Sequence, residues 1–188
     1  ILTAHDADPD RVARMLTGPV PSGGSIHYQK HMAHHLLPGM PRDWMASVTN
    51  CFLVRDPRAM VASLHARTPN PSIEDTGLPQ QRVLFDEIRE QSGAVPPVLD
   101  AFDVLSDPRR VLARCCEAIG VGFDESMLAW PAGPRDSDGA WAPWWYDSVE
   151  ASTGFASPRT DPVELPAELE PLVEACFEHY EHLHRHRL

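Results

Sequence analysis

In residues 50–63, NCFLVRDPRAMVAS, an apolar run stops at Arg55, passes through Asp56 and Pro57, and resumes with helical spacing that carries Ser63 eight residues after the arginine. A guanidinium is a fixed fork of donors matched to phosphate oxygens, and a serine hydroxyl supplies one more. An anion held where a strand ends and a helix begins also meets the unpaired N–H groups and positive dipole end of that helix. Arg55 and Ser63 are therefore a candidate phosphate site, provided the ligand lies along the helix rather than beyond its end. The alternative is structural: an arginine at a strand end pairs with a carboxylate on a neighbouring loop. The spacing is compatible with both.

Other ionisable groups carry less chemistry. His179, His182 and His186 recur at three- and four-residue steps in HYEHLHRHRL, a pattern able to ligate metal from one helix face. Without a carboxylate or cysteine set to complete a site, they are read as a solvated face. Asp86, Glu87 and Glu90 are read the same way. The four cysteines, Cys51, Cys115, Cys116 and Cys176, show no CxxC spacing, and the adjacent pair suits neither a metal knuckle nor an ordinary bridge. They are read as buried, reduced thiols of a cytosolic protein.

These residues need elements to position them. NCFLV has the length of a central, fully buried strand, and the Asp-Pro that follows predicts a capped helix to about residue 67, with Met60, Val61 and Leu64 inward. Residues 6–16 read as a short helix with Pro9 in its first turn, SIHYQK (25–30) as a strand, and HMAHHLLPGM (31–40) as short helical or irregular chain. A loop over 68–79 precedes an amphipathic helix facing inward through Val83, Leu84 and Ile88. PPVLDAF (96–102) is a second buried strand. DPRRVLARCCEAIG is a second Asp-Pro helix, ended by Gly120. Residues 130–162 are rich in Gly, Pro and Trp, and Leu169 to Leu183 repeat with helical period. Alternating strands and helices predict a parallel sheet with helices on its faces, an α/β fold.

The 188 residues, 43% of them hydrophobic, suffice for one domain spanning 1–188. Sixteen Lys and Arg against 27 Asp and Glu give a net charge of −11, which argues against a nucleic-acid surface and requires local positive groups to hold any anionic ligand. No apolar run approaches a membrane span. A soluble, cytoplasmic protein without a membrane partner is expected.

NCFLVRDPRAMVASL resembles the 3′-phosphate-binding strand and helix of the sulfotransferases that use 3′-phosphoadenosine 5′-phosphosulfate (PAPS), with Arg55 and Ser63 at the family's separation. IHYQKHMAHHLLP resembles the segment bearing that family's catalytic Lys and His. VLDAFDVLSDPRRVLARCCEAIGVGFD resembles its later strand and Asp-Pro helix, and GPRDSDGAW its Arg-containing, Gly-rich loop over the nucleotide. Bacterial sulfotransferase-like proteins share the Lys-x-Met-Ala-His-His stretch and the Trp-rich end. The resemblance runs from about residue 25 to the C-terminus. It implies a P-loop-type three-layer parallel sheet with flanking helices.

Two departures accompany it. The Lys- and Ser/Thr-containing loop that cradles the 5′-phosphosulfate should precede residue 25, and PVPSGGS does not supply it. The expectation is that this part of the fold lies outside the chain, an N-terminal truncation. The family's Lys-x-His is here Lys30-His31-Met32, so His34, His31 and His35 are all candidates for the base, His34 foremost.

What the resemblance implies is sulfuryl transfer from PAPS to a hydroxyl or amine of a small-molecule acceptor, with no metal required. His34 or His31 would take the acceptor's proton and Lys30 would neutralise charge on the group in flight. Arg55 and Ser63 would bind the 3′-phosphate. Arg135, Gly139 and Trp141 would close over the nucleotide, and Trp144, Trp145, Tyr146 and Phe155 are candidates for a pocket wall. Surface charge for Lys30, local bonding for the histidines and lid packing for Trp141 are the structural alternatives. Two functional alternatives stand beside these: a catalytically inactive sulfotransferase-like protein that binds a nucleotide or a partner, and another P-loop small-molecule kinase. Oligomeric state is not specified by the sequence.

Overall fold

The computed structural model describes residues 6–20, 23–135, 138–140 and 142–188. Two strands, β1 (Phe52–Val54) and β2 (Val98–Asp100), pair in parallel with Val54 opposite Asp100. The chain's last residues extend the pairing beyond β2, where Leu188 donates its N–H to the Val98 carbonyl at 3.0 Å. This is an α/β arrangement of parallel pairing with helices on both faces.

The pleat decides what each face receives, because successive side chains in a strand point oppositely. Phe52, Val54 and Val98 pack with Phe85 and Leu183, which belong to α4 (Leu78–Ser92) and α9 (Glu170–His184). Leu99 faces the other way onto Val111 and Cys115 of α6 (Pro108–Ile119). Leu53, opposite Leu99, is 59% exposed, so β1 is covered on one face only. The central, fully buried strand expected at NCFLV is thus half-buried; β2 is the strand buried at every position.

Both Asp-Pro openings form as the sequence predicts. Asp56 accepts the Ala59 N–H and starts α2 (Pro57–His65), and Asp107 accepts the Arg110 N–H to start α6. Proline at the first helical position loses no hydrogen bond there. Gly120 ends α6 at φ 75°, a conformation that costs glycine nothing. The first helix, α1 (Pro9–Leu16), is capped by Asp8.

Three further expectations fail. SIHYQK is not a strand: no neighbouring strand accepts its backbone, and the Gln29 side chain instead donates to the Leu16 carbonyl. The loop over 68–79 contains α3 (Ile73–Thr76), closed by a reciprocal capping box between Ser72 and Asp75. Val83 is exposed, whereas Phe85 is fully buried with Leu84 and Ile88. After β2, Asp100 caps a further short helix, α5 (Ala101–Ser106), by accepting the Phe102 and Asp103 N–H groups. Two single-turn helices, α7 (Ala142–Trp145) and α8 (Asp147–Glu150), lie within the Trp-rich segment. Among the described residues no helix is long and apolar enough to cross a membrane.

Candidate functional site

Arg55 leaves β1 at its carboxyl end and is exposed. Among the described residues, no hydrogen bond or ion pair joins its guanidinium to a loop carboxylate of the kind the structural alternative requires. The next arginine shows the contrast: Arg58, one turn on, donates both terminal nitrogens to Glu170 at 2.9 and 2.5 Å and ties α2 to α9. Ser63 is exposed on α2, whose buried side is Val61. An exposed guanidinium at the end of a parallel strand, with an exposed hydroxyl on the following helix, is a set of donors open to a ligand.

A second group of residues meets across the chain. Lys30, Gly133, Arg135, Asp138, Tyr146, Val149 and Glu150 line a cleft of about 320 Å³. Lys30 is the only lysine in the sequence, and its ammonium reaches the Met32 sulfur at 3.6 Å. Arg135 is exposed, and its own N–H is held by the Asp138 carboxylate at 2.8 Å. Gly139 follows, half-buried, its carbonyl accepting the Ala142 N–H at 2.9 Å to open α7. Gly133 donates to the Glu150 carbonyl at 2.8 Å, which pins the base of this loop to α8. The cleft's two cations thus face two carboxylates, one of which already holds the loop.

The histidines are positioned by α4. Ala33 and Leu36 pack with Met45, Leu84 and Ile88, so the 3-10 turn Ala33–His35 lies on that helix. His34 is half-buried over Gly77, where a Cβ would come within 3.4 Å of its Nδ1; at φ 70° that position is glycine's in any case. Its ring meets His35 edge-on at 4.4 Å. Burial and the neighbouring His35 push its pKa below the ordinary value, with the Asp75 carboxylate opposing. His31 sits outside the turn, with Nε2 3.2 Å from the Gln29 side-chain oxygen and its ring 5.4 Å from Trp44, and desolvation lowers its pKa also.

The sequence-derived residues therefore fall into three places. Lys30 and Arg135 share a cleft; Arg55 and Ser63 mark the end of β1 and the flank of α2; His34 stands over Gly77 at the start of α4, His31 lies beside Trp44, and neither is among the cleft's lining residues. Trp141 and the side chains of Trp144 and Trp145 lie outside the described residues. Tyr146 lines the cleft, whereas Phe155, half-buried, packs edge-on against Trp130 at 5.3 Å and is not among the cleft's lining residues.

Several residues differ from their sequence-based reading. The C-terminal histidines are not a solvated face: His182 Nε2 is 2.8 Å from the Asp86 carboxylate, His186 stacks on Phe85 at 5.1 Å, and His179 Nδ1 is buried. Amphipathic period places these rings on the α4 side of α9. Glu87 is likewise paired, with both oxygens on Arg42 at 2.7 and 2.9 Å. Among the described residues no group of three or more His, Cys, Asp or Glu is arranged to hold a metal. Cys115, Cys116 and Cys176 are buried free thiols, but Cys51 is exposed, because it precedes β1 on the strand's open face.

The sequence reading passed over Asp100. This carboxylate is buried at the carboxyl end of β2, caps α5, and accepts the Tyr180 hydroxyl at 2.9 Å, while His184 stacks on Tyr180 at 4.7 Å. The signal was an acid ending an apolar run.

Comparison with known proteins agrees with the motifs. Branched-chain-amino-acid aminotransferase-like protein 2 of Arabidopsis thaliana is 32% identical over 189 residues, which take in 99% of this chain and 33% of that protein. Branched-chain-amino-acid aminotransferase-like protein 1 of the same plant is 36% identical over 159 residues, 85% of this chain and 28% of that protein. The chain spans about a third of the length of these curated relatives or less. No solved structure matches. A family model described as a sulfotransferase domain matches residues 1–186, almost the whole sequence and more than the four motif segments cover, and this chain accordingly belongs to the sulfotransferase-domain family.

Proposed function

We propose that this chain transfers a sulfuryl group from PAPS to a hydroxyl or amine of a small-molecule acceptor. The observation that carries the reading is Arg55, exposed at the carboxyl end of a parallel strand with no described partner, ahead of the Asp56-capped helix that presents Ser63. These donors fit a phosphate bearing two negative charges. In this reading the two paired strands belong to a P-loop-type three-layer sheet, and residues 1–188 act as one domain.

PAPS as bound co-substrate would supply an activated sulfuryl group on a phosphate leaving group. Arg55 and Ser63 hold the 3′-phosphate end. Lys30, the cleft's ammonium, neutralises charge beside the reacting centre, and Arg135 with Gly139 and Trp141 covers the site from the loop side. His34, kept neutral by burial, accepts the acceptor's proton; His31 is the second choice for that role. The chemistry calls for no metal. The relatives' names speak of aminotransferase-like proteins as wholes, of which the matched part is a third or less.

The test is to supply the protein with PAPS and a panel of phenols, alcohols and amines and to follow release of 3′-phosphoadenosine 5′-phosphate. Acceptor-dependent release, lost in Arg55→Ala, is expected. Tight nucleotide binding without turnover for any acceptor would favour the inactive, nucleotide-binding alternative.

A further inference from the structure

Cys51 and Cys115 come together although 64 positions separate them. The pleat is one reason. Residues 51 and 53 point to the same face of β1, Leu53 is opposite Leu99, and Leu99 packs on Val111 and Cys115 of α6. The two side chains interact with each other, and this draws the Cys51 pKa down and pushes that of Cys115 up, with desolvation adding to the latter. Tyr28 stands within electrostatic reach of both sulfurs. Cys51 is exposed and Cys115 is buried beneath it, so a reagent in solvent meets Cys51 first. The other thiols are committed elsewhere: Cys116 donates to the Met127 sulfur at 3.9 Å, and Cys176 packs with Val61 and Leu78.

We propose that Cys51 and Cys115 form a redox-modification site, a dithiol that a small peroxide closes to a reversible disulfide linking the start of β1 to the middle of α6. Cys51 attacks as thiolate on one peroxide oxygen, the O–O bond breaks, and Cys51 becomes a sulfenic acid as hydroxide leaves and is protonated to water. The Cys115 sulfur then attacks the Cys51 sulfur, the S–O bond breaks, and the hydroxyl departs as water with the proton from the Cys115 thiol. In sum the two thiols lose two electrons and two protons, and hydrogen peroxide becomes two waters. A lowered thiolate pKa beside a resolving thiol is the arrangement that makes the first step selective.

The reduced full chain is treated with a small molar excess of hydrogen peroxide, alkylated with iodoacetamide and digested with trypsin. Cleavage after arginine places Cys51 in residues 43–55 and Cys115 in residues 115–135. The expected result is these two peptides joined, with fragment ions assigning the bond to Cys115 and Cys116 alkylated, the bond reversed by dithiothreitol. Cys51→Ser, a change at an exposed position, should abolish the product, and Cys176→Ser should leave it intact. Recovery of residues 43–55 fully alkylated, oxidation of Cys51 to sulfinic acid without a cross-link, or a bond to Cys116 or between chains would each overturn the proposal.

Discussion

Lys30 and Arg135, far apart in sequence, line one cleft, and Lys30 is the only lysine the chain has. An amine-selective reagent therefore reports on this cleft alone, apart from the chain's amino terminus. Saturating 3′-phosphoadenosine 5′-phosphate should slow modification of Lys30 at least several-fold. Lys30→Ala should lower kcat by roughly 10²-fold or more while changing nucleotide affinity far less, as expected for a group acting on developing charge. Equal losses in both would make Lys30 a binding residue.

Ser63 is assigned one hydrogen bond to a charged phosphate. Such a bond contributes about 1.5–3 kcal/mol, so Ser63→Ala should weaken nucleotide binding roughly 10- to 100-fold without altering thermal stability, the side chain being exposed. Arg55→Lys should not restore the affinity lost in Arg55→Ala, because an ammonium lacks the planar fork. Isothermal titration of the three variants checks both statements.

The histidine assignment has a pH signature. A base must be neutral to act, and burial and His35 lower the His34 pKa, so the acidic limb of kcat/KM should have its midpoint below the ordinary histidine value of about 6.5. Asp75 opposes that shift; Asp75→Asn should move the limb further to acid. Folding linkage has the same sign. With its folded pKa depressed, His34 binds protons more readily in the unfolded chain, and its contribution to stability is lost as pH falls through 6.5. A limb unchanged in His34→Ala would remove His34 as the base.

Tyr180 and Asp100 test the scaffold beneath the strand ends. Burial and the Asp100 carboxylate push the Tyr180 pKa well up, keeping the phenol protonated as donor. Tyr180→Phe leaves a buried carboxylate oxygen without that donor and should cost about 1–3 kcal/mol. For a chain of this length that is a fall in Tm of roughly 2–4 °C per kcal/mol. Phe85→Ala, at the centre of the core over Phe52, Val54 and Val98, should cost about 3–5 kcal/mol. Denaturant titrations with unchanged m-values measure both.

The parts legible in the sequence were those written in local chemistry. Asp56-Pro57 and Asp107-Pro108 announced two helices because the cap and the missing N–H act within one turn. Position within the sheet was less legible. NCFLV has the composition of a buried strand, yet Leu53 is exposed, since burial depends on what covers each face and that is decided by α6 and α9 far along the chain. SIHYQK has strand propensity but no neighbour to pair with. The three places of the candidate site followed the same division: Arg55 was evident at a strand end, whereas the meeting of Lys30 with Arg135 depends on how the loop after residue 130 returns.

Whether Arg55 is a phosphate ligand is decided by calorimetric titration of the protein with 3′-phosphoadenosine 5′-phosphate, alongside Arg55→Ala. Tight binding by the native protein, lost in the variant, is the predicted result. Binding of equal strength in both, or none by the native protein, would contradict it.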